Sequence, residues 1–335
     1  MNKAIQWIRK HPLLSVLLLF LSAFILLNFV AYQQAAAMLN FTQAGTRTVR
    51  PEDLSLWQKV KVLLLGVNIP KPKNHVTPQD FNLTFETHRF QVDDTVELEA
   101  WYVPQRQAKG LVVMFHGYAV AKDQLLPEAQ AFHQLGYAVF LVDFRGSGGS
   151  NQTTTSVGFY EAQDVTQALV YVQTNFKADQ PVILYGQSMG GAALLRAMQT
   201  NDLQPDAIII EAVFDRMLST VENRFSTMGV PSFPAAHLLV FWGSVQWGYN
   251  GFEHNPMDYA AAVKCPVLML HGQADPRVTL AQAQAIYDQI RSEKVFELFE
   301  KVGHESYVRA DEAKWKAVVG SFLAHYVANK QQNGG

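Results

Sequence analysis

The chain has a single cysteine, Cys265, in 335 residues. That excludes an intramolecular disulfide, a cysteine-rich zinc site and an iron–sulfur cluster. A chain this poor in thiols survives in reducing or oxidising surroundings, so the redox compartment stays open. Charge is also sparse: 17% of residues are charged, 27 basic against 29 acidic, giving a net −2. No basic block is present, so no phosphate-neutralising surface is expected and nucleic acid is not an expected partner. With 49% hydrophobic residues, disorder and coiled coil are excluded and a sizeable core is affordable. There is no internal repeat, and the only biased segment is the tail Gln331-Gln332-Asn333-Gly334-Gly335.

What is present begins with a long uncharged stretch. Between Lys10 and Arg47 no Asp, Glu, Lys or Arg occurs, and Leu13 to Tyr32 is almost wholly apolar. Twenty such residues span roughly 30 Å as a helix, the thickness of a bilayer's hydrocarbon. Residues 1–12 form a basic flank to a transmembrane signal anchor over 13–32. A cleaved signal peptide competes, because Ala35-Ala36-Ala37 offers a cleavage site, but its apolar region should be shorter. Lys3, Arg9 and Lys10 crowd one flank, which predicts a cytoplasmic N-terminus and a catalytic domain on the extracytoplasmic side. Residues 33–79 read as a linker with one short amphipathic helix, started by Pro51 with Glu52 and Asp53 in its first turn and ended at Gly66. Leu56, Trp57, Val60, Leu63 and Leu64 share a face of it, suited either to a lipid surface or to packing on the main domain.

Prior domain size allows two domains in this length, but the pattern after residue 80 reads as one. Short apolar runs alternate with helical stretches, which predicts an α/β fold with a mostly parallel sheet between helices. Phe81–His88 and Thr95–Val103 read as an opening strand pair. Five buried-type runs follow, at Gly110–Phe115, Tyr137–Val142, Pro181–Tyr185, Asp206–Ile210 and Pro266–Leu270. Lys294–Phe299 is the last strand, and a helix from about Ala310 to Val327 closes a domain spanning 80–330.

Gly186-Gln187-Ser188-Met189-Gly190-Gly191 matches G-x-S-x-G, directly after the run ending at Tyr185 and directly before Ala192-Ala193-Leu194-Leu195. The bare pattern is weak, but strand, elbow and helix are the context it requires. A serine hydroxyl is a poor nucleophile near neutral pH and needs a base, which in turn needs an orienting acid. In the chain order Ser, acid, His, Asp275 follows the run Val267–Leu270 and His304 follows the last strand. Glu211, at the end of another strand, is the rival acid. Backbone N–H groups of Met189 and Tyr118 are the expected oxyanion donors, with His116 shaping the loop rather than acting as a base.

These residues, with His116-Gly117, the stretch Asp143 to Ser150 and Gly303-His304, resemble the α/β-hydrolase family over about residues 80 to 327. The anchor, the segment 59–67 and Trp101-Tyr102-Val103-Pro104 look most like its membrane-anchored Bem46-like branch. The resemblance implies an eight-stranded-type sheet and a Ser-His-Asp hydrolase of carboxylic esters, with a small-molecule or lipid ester as substrate and no metal or organic cofactor. It also implies that Asp143 and Arg145 are structural. A lidded aminopeptidase and a non-catalytic membrane-tethered binding module are the alternatives. Nine aromatic residues fall between Val213 and Tyr259. That insertion leaves and rejoins the sheet at its catalytic edge, which predicts a small helical lid, with Trp242 and Trp247 as candidates for an acyl-binding wall.

Overall fold

In a computed structural model, which describes residues 3–49, 53–176 and 180–328, the chain opens with helices α1 (Lys3–Lys10) and α2 (Pro12–Leu39). Helix α2 is long and apolar enough to cross a membrane, and it runs seven residues beyond Tyr32, the expected end of the span. Helix α3 (Leu56–Leu65) begins later than expected. Its N-terminus is set by a capping box, in which Ser55 Oγ accepts from Gln58 N and Gln58 Oε1 accepts from Ser55 N. Pro51 and Glu52 lie outside the described residues, and Asp53 precedes the helix.

Strands β1 (Glu86–Gln91) and β2 (Glu97–Val103) form the opening antiparallel pair. Phe81, expected in the first strand, instead closes a 3₁₀ turn over Pro78–Phe81 held by a Thr77–Asp80 capping box. There follow β3 (Leu111–Phe115), α4 (Leu126–Gln134), β4 (Ala138–Val142), α5 (Glu161–Asn175), β5 (Val182–Gln187), α6 (Met189–Asn201) and β6 (Ala207–Glu211). The inserted helices α7 (Met217–Met228), α8 (Ala235–Trp247) and α9 (Pro256–Ala260) lie next, then β7 (Val267–Gly272), α10 (Leu280–Gln289) and β8 (Lys294–Phe299). The expected terminal helix is broken into α11 (Tyr307–Ala310) and α12 (Glu312–Leu323), because Asp311 caps the second by accepting from Lys314 N; a π turn over Ala324–Ala328 continues it.

The eight strands form one sheet in the order β1-β2-β4-β3-β5-β6-β7-β8, parallel from β4 through β8. Strands β3 to β7 are buried on both faces, which their unbroken apolar runs require. One core packs α5, α6 and α10 on one face, through Val165, Ala168, Leu194 and Ile286. The other packs α4 and α12 beneath, through Leu126, Phe132, Trp315 and Val319. Strand order reverses at β3, which lies between β4 and β5, so the carboxyl ends of β3 and β5 flank the switch point where such sheets place their sites.

The segment read as a linker is fastened to the domain. Lys71 Nζ donates to Ser150 O, Asn74 Nδ2 to Asp143 Oδ2, and Gly148 N to Pro72 O. Helix α2 does not stand apart either: Ala31, Ala35 and Leu39, spaced by four, are buried, and Trp242 Nε1 of α8 donates to Asn28 Oδ1 at 3.2 Å.

Candidate active site

Four loops converge at the carboxyl edge of the sheet, after β3, β5, β7 and β8. Ser188 follows β5 directly with φ 52° and ψ −114°, a strained conformation for a residue with a side chain. The neighbouring glycines permit it. A Cβ on Gly190 would sit 2.3 Å from Phe115 O, and one on Gly186 would sit 2.7 Å from the Cα of Gly191. The elbow is further pinned by Ser188 N donating to Glu211 O at 2.7 Å.

Ser188 Oγ lies 3.1 Å from His304 Nε2, and His304 Nδ1 lies 2.7 Å from Asp275 Oδ2. The other carboxylate oxygen of Asp275 accepts from the amides of Arg277 and Val278 at 2.8 and 3.0 Å. Burial opposes its charge, but the hydrogen bond from His304 and those from the two amides outweigh it and hold the carboxyl below its usual range. An ionised carboxylate only accepts, so Nδ1 of His304 carries the proton and a neutral Nε2 presents its lone pair to the Ser188 hydroxyl. The three residues selected by chain order are thus one hydrogen-bonded chain.

Glu211 stands apart from this chain. It is fully buried, its Oε1 accepts from Trp315 Nε1 at 2.7 Å, and burial together with the nearby Glu128 pushes its pKa up to about 8. His116 is also fully buried. Its Nε2 accepts from Phe144 N and its Nδ1 therefore donates to Gly117 O, so both nitrogens are used to shape the loop. Burial lowers its pKa, which keeps it neutral. Asp143 accepts from the Lys122 and Gly149 amides and pairs with the Lys122 ammonium, while Arg145 pairs with Asp164. Both are structural contacts away from the serine.

Met189 is the first residue of α6, where a backbone N–H has no intrahelical acceptor. Gly117 approaches the serine closely enough that a Cβ there would lie 3.6 Å from Ser188 Cβ, which brings the Gly117–Tyr118 turn beside the elbow. The Tyr118 phenol donates to Met38 O of α2 at 2.6 Å, and its ring lies 5.2 Å from the Arg224 guanidinium.

A cavity of about 670 Å³ opens beside this turn. Tyr118, Arg47, Arg224 and Arg277 stand at one end, Val221, Phe225, Met228 and Leu239 of α7 and α8 form one side, and Leu27, Val30 and Met38 of α2 another; Ser188, Asp275 and His304 are not among its described lining residues, and Tyr118 is the link between the cavity and the elbow. Trp242 and Trp247 are not part of this lining. The indole of Trp242 is engaged by Asn28 and stands edge-on to Tyr32, and Trp247 packs on Tyr160, whose hydroxyl donates to Trp247 O. The two tryptophans of the inserted helices are therefore engaged with α2 and with Tyr160, and Phe225 is the aromatic of these helices that lines the cavity. No sequence pattern singled out the cavity residues of α2, because their apolar character is accounted for by a bilayer. A second hollow of about 740 Å³ lies at the opposite edge, at the amino ends of β3, β4 and β5, and has no serine, histidine or cysteine among its described lining residues.

A model of the family described as serine aminopeptidase, S33, matches residues 106–224. The chain is 26% identical over 258 residues to protein bem46 of Schizosaccharomyces pombe, covering 75% of this chain and 81% of that one. It is 23% identical over 262 residues to the lysophosphatidylserine lipase ABHD12 of Mus musculus, covering 69% and 63%. Among solved structures, the Pyrococcus furiosus esterase Pf2001 superposes with a TM-score of 0.65 at 20% identity, over 77% of this chain and 97% of that one. The acylaminoacyl peptidase of Pyrococcus horikoshii superposes with a TM-score of 0.55 at 20% identity, over 73% and 42%. With the sheet, the elbow and these neighbours together, the chain has the α/β-hydrolase fold, and in sequence it is similar to bem46 and its relatives.

Proposed function

We propose that the chain is a membrane-anchored serine hydrolase that cleaves carboxylic esters. The observation that carries this reading is the continuous relay from Ser188 Oγ through His304 to Asp275, at 3.1 and 2.7 Å. Ser188 Oγ attacks the ester carbonyl while His304 Nε2 takes its proton, and Asp275 holds the imidazole in the required tautomer and stabilises the imidazolium that forms. The amides of Met189 and Tyr118 hold the oxyanion of the tetrahedral intermediate, a contribution of about 3 kcal/mol per donor in enzymes of this kind. Collapse of that intermediate expels the alcohol, protonated by His304, and leaves an acyl-enzyme. Water, deprotonated by the same histidine, then releases the acid.

The predominantly apolar cavity at Tyr118 supports an acyl group there rather than the charged amino terminus of a peptide. Helix α2 supports anchoring, and the basic residues Lys3, Arg9 and Lys10 before it support a cytoplasmic N-terminus with the sheet domain on the other side. The test is a fluorophosphonate probe on the full-length protein in detergent, read by mass spectrometry. Labelling confined to Ser188 and abolished by Ser188→Ala is the expected result. A folded protein that takes up no label overturns the reading. Protease accessibility on intact spheroplasts decides the orientation.

A further inference from the structure

The helix that anchors the protein also encloses its cavity. Ala23, Leu27, Val30 and Met38 fall on one stripe of α2 and line the cavity whose other end is Tyr118. From Ala23 to Met38 is roughly 22 Å of helix axis at 1.5 Å per residue. A second stripe of the same helix, bearing Asn28, Ala35 and Leu39, packs on α8, so the wall is held in place by the lid rather than hanging free. The apolar span begins near Leu13, and Ala23 lies about midway along the twenty residues a bilayer requires. The cavity therefore runs along α2 from the Tyr118 turn to Ala23, which a membrane span starting near Leu13 would place close to the middle of the bilayer. Neighbouring surfaces match that placement: α8 carries no charged residue and exposes Phe241 and Val245, and α3 exposes Leu56 and Trp57.

We propose that α2 is one wall of the acyl-binding pocket, and that the occupant is the long acyl chain of a bilayer lipid ester, which slides in along α2 from the membrane to reach Ser188. The proposal rests on the ester-hydrolase reading for the chemistry, and adds the site, the substrate class and the route. The anchor is thus a specificity element. An acyl chain too short to reach past Tyr118 gains nothing from Leu27 or Val30, whereas each further methylene laid against them adds hydrophobic contact.

The test uses full-length protein in detergent with Ser188→Ala as background, so that it reads occupancy rather than turnover. A thiol is placed in the pocket by Leu27→Cys and, on the same helix but outside the cavity lining, by Phe29→Cys; the native Cys265 is buried. Alkylation by N-ethylmaleimide is timed with a palmitoyl ester, with a butyryl ester at equal concentration, and with neither. The expected result is slowing of the Leu27→Cys reaction by roughly fivefold or more with the palmitoyl ester well above its Kd, and none with the butyryl ester. Phe29→Cys should be unaffected by both. Equal slowing at the two positions, or none at Leu27→Cys, overturns the proposal. In the wild-type background, Val30→Trp should lower kcat/KM about tenfold more for the palmitoyl ester than for the butyryl ester. Parallel loss for both esters counts against the pocket. A wild-type protein that fails to label at Ser188 defeats the nucleophile assignment instead, and the alkylation result still decides the pocket.

Discussion

The phenol of Tyr118 donates to the carbonyl oxygen of Met38 at 2.6 Å, so the turn after β3 is tied by its side chain to the last turn of the apolar helix. Arg47, just beyond that helix, reinforces the tie by donating to Ala119 O. In the proposed mechanism the Tyr118 amide, next to Gly117 at the elbow, serves the oxyanion, so what holds the Tyr118 side chain should also position that amide. Tyr118→Phe should cost about 1 kcal/mol of stability for the lost hydrogen bond. It should lower kcat for a short soluble ester several-fold at nearly unchanged KM, since the bond positions a group used in the transition state. A variant with wild-type kcat would show that the oxyanion turn is rigid without the helix.

Asp275 is held ionised, and His304 depends on it for both tautomer and orientation. Asp275→Asn should lower kcat on the order of 10⁴-fold, as loss of the orienting acid does in serine hydrolases generally, while KM changes little. A carboxyl with a depressed pKa stabilises the fold above its unfolded pKa, and that contribution is lost as pH falls through the folded value. Wild type should therefore lose more stability than Asp275→Asn on acidification below about pH 4. Parallel melting curves across that range would contradict the assignment of the charge.

Ser188, Asp275 and His304 were legible in the sequence because each is fixed by local context: an elbow between strand and helix, a loop after a buried run, a loop after the last strand. The sheet was legible for the same reason, since apolar runs of five residues announce themselves. The ends of elements were less so. The Ser55-x-x-Gln58 box was a readable start signal for α3, but Pro51 and two acids were the more conspicuous one. The cavity was not legible at all. Its walls come from positions as distant as Leu27 and Arg277, and only the folded chain brings them together. Aromatic enrichment marked the insertion that carries α7 to α9 but not which of its aromatics lines the cavity, Phe225 rather than Trp242 or Trp247, because composition does not reveal which face an indole turns to its neighbours.

Glu211 is the buried acid that the relay does not use. Burial, with Glu128 next, pushes its pKa from an ordinary 4.5 up to about 8. An acid whose folded pKa is raised favours the protonated fold: between these two values the unfolded chain gives up a proton that the folded chain keeps. Stability therefore falls as pH rises through that window and is lowest above it. Glu211→Gln keeps an acceptor for Trp315 Nε1 but has no charge to bury. It should be more stable than wild type at pH 8 by a few kcal/mol, with the advantage fading toward pH 4.5, read as a Tm difference of several degrees. A constant offset between the two proteins across the range would mean that Glu211 does not titrate in the fold.

Trp242 separates a docking lid from a substrate-lining one. Its indole donates to Asn28 and stands edge-on to Tyr32 at 5.5 Å, so α8 grips α2 through this side chain while Leu239, one turn earlier, faces the cavity. Trp242→Ala should loosen that grip by about 1–2 kcal/mol, the sum of one hydrogen bond and one aromatic pair. Because the indole lies outside the pocket, palmitoyl and butyryl esters should lose kcat/KM in similar proportion, and Tm should fall. Leu239→Ala, which enlarges the pocket without touching Asn28, should instead penalise the palmitoyl ester selectively. The comparison uses two residues three positions apart on one helix, so a general weakening of α8 cannot produce both patterns. Selective loss of the long chain in Trp242→Ala would return that tryptophan to the acyl wall.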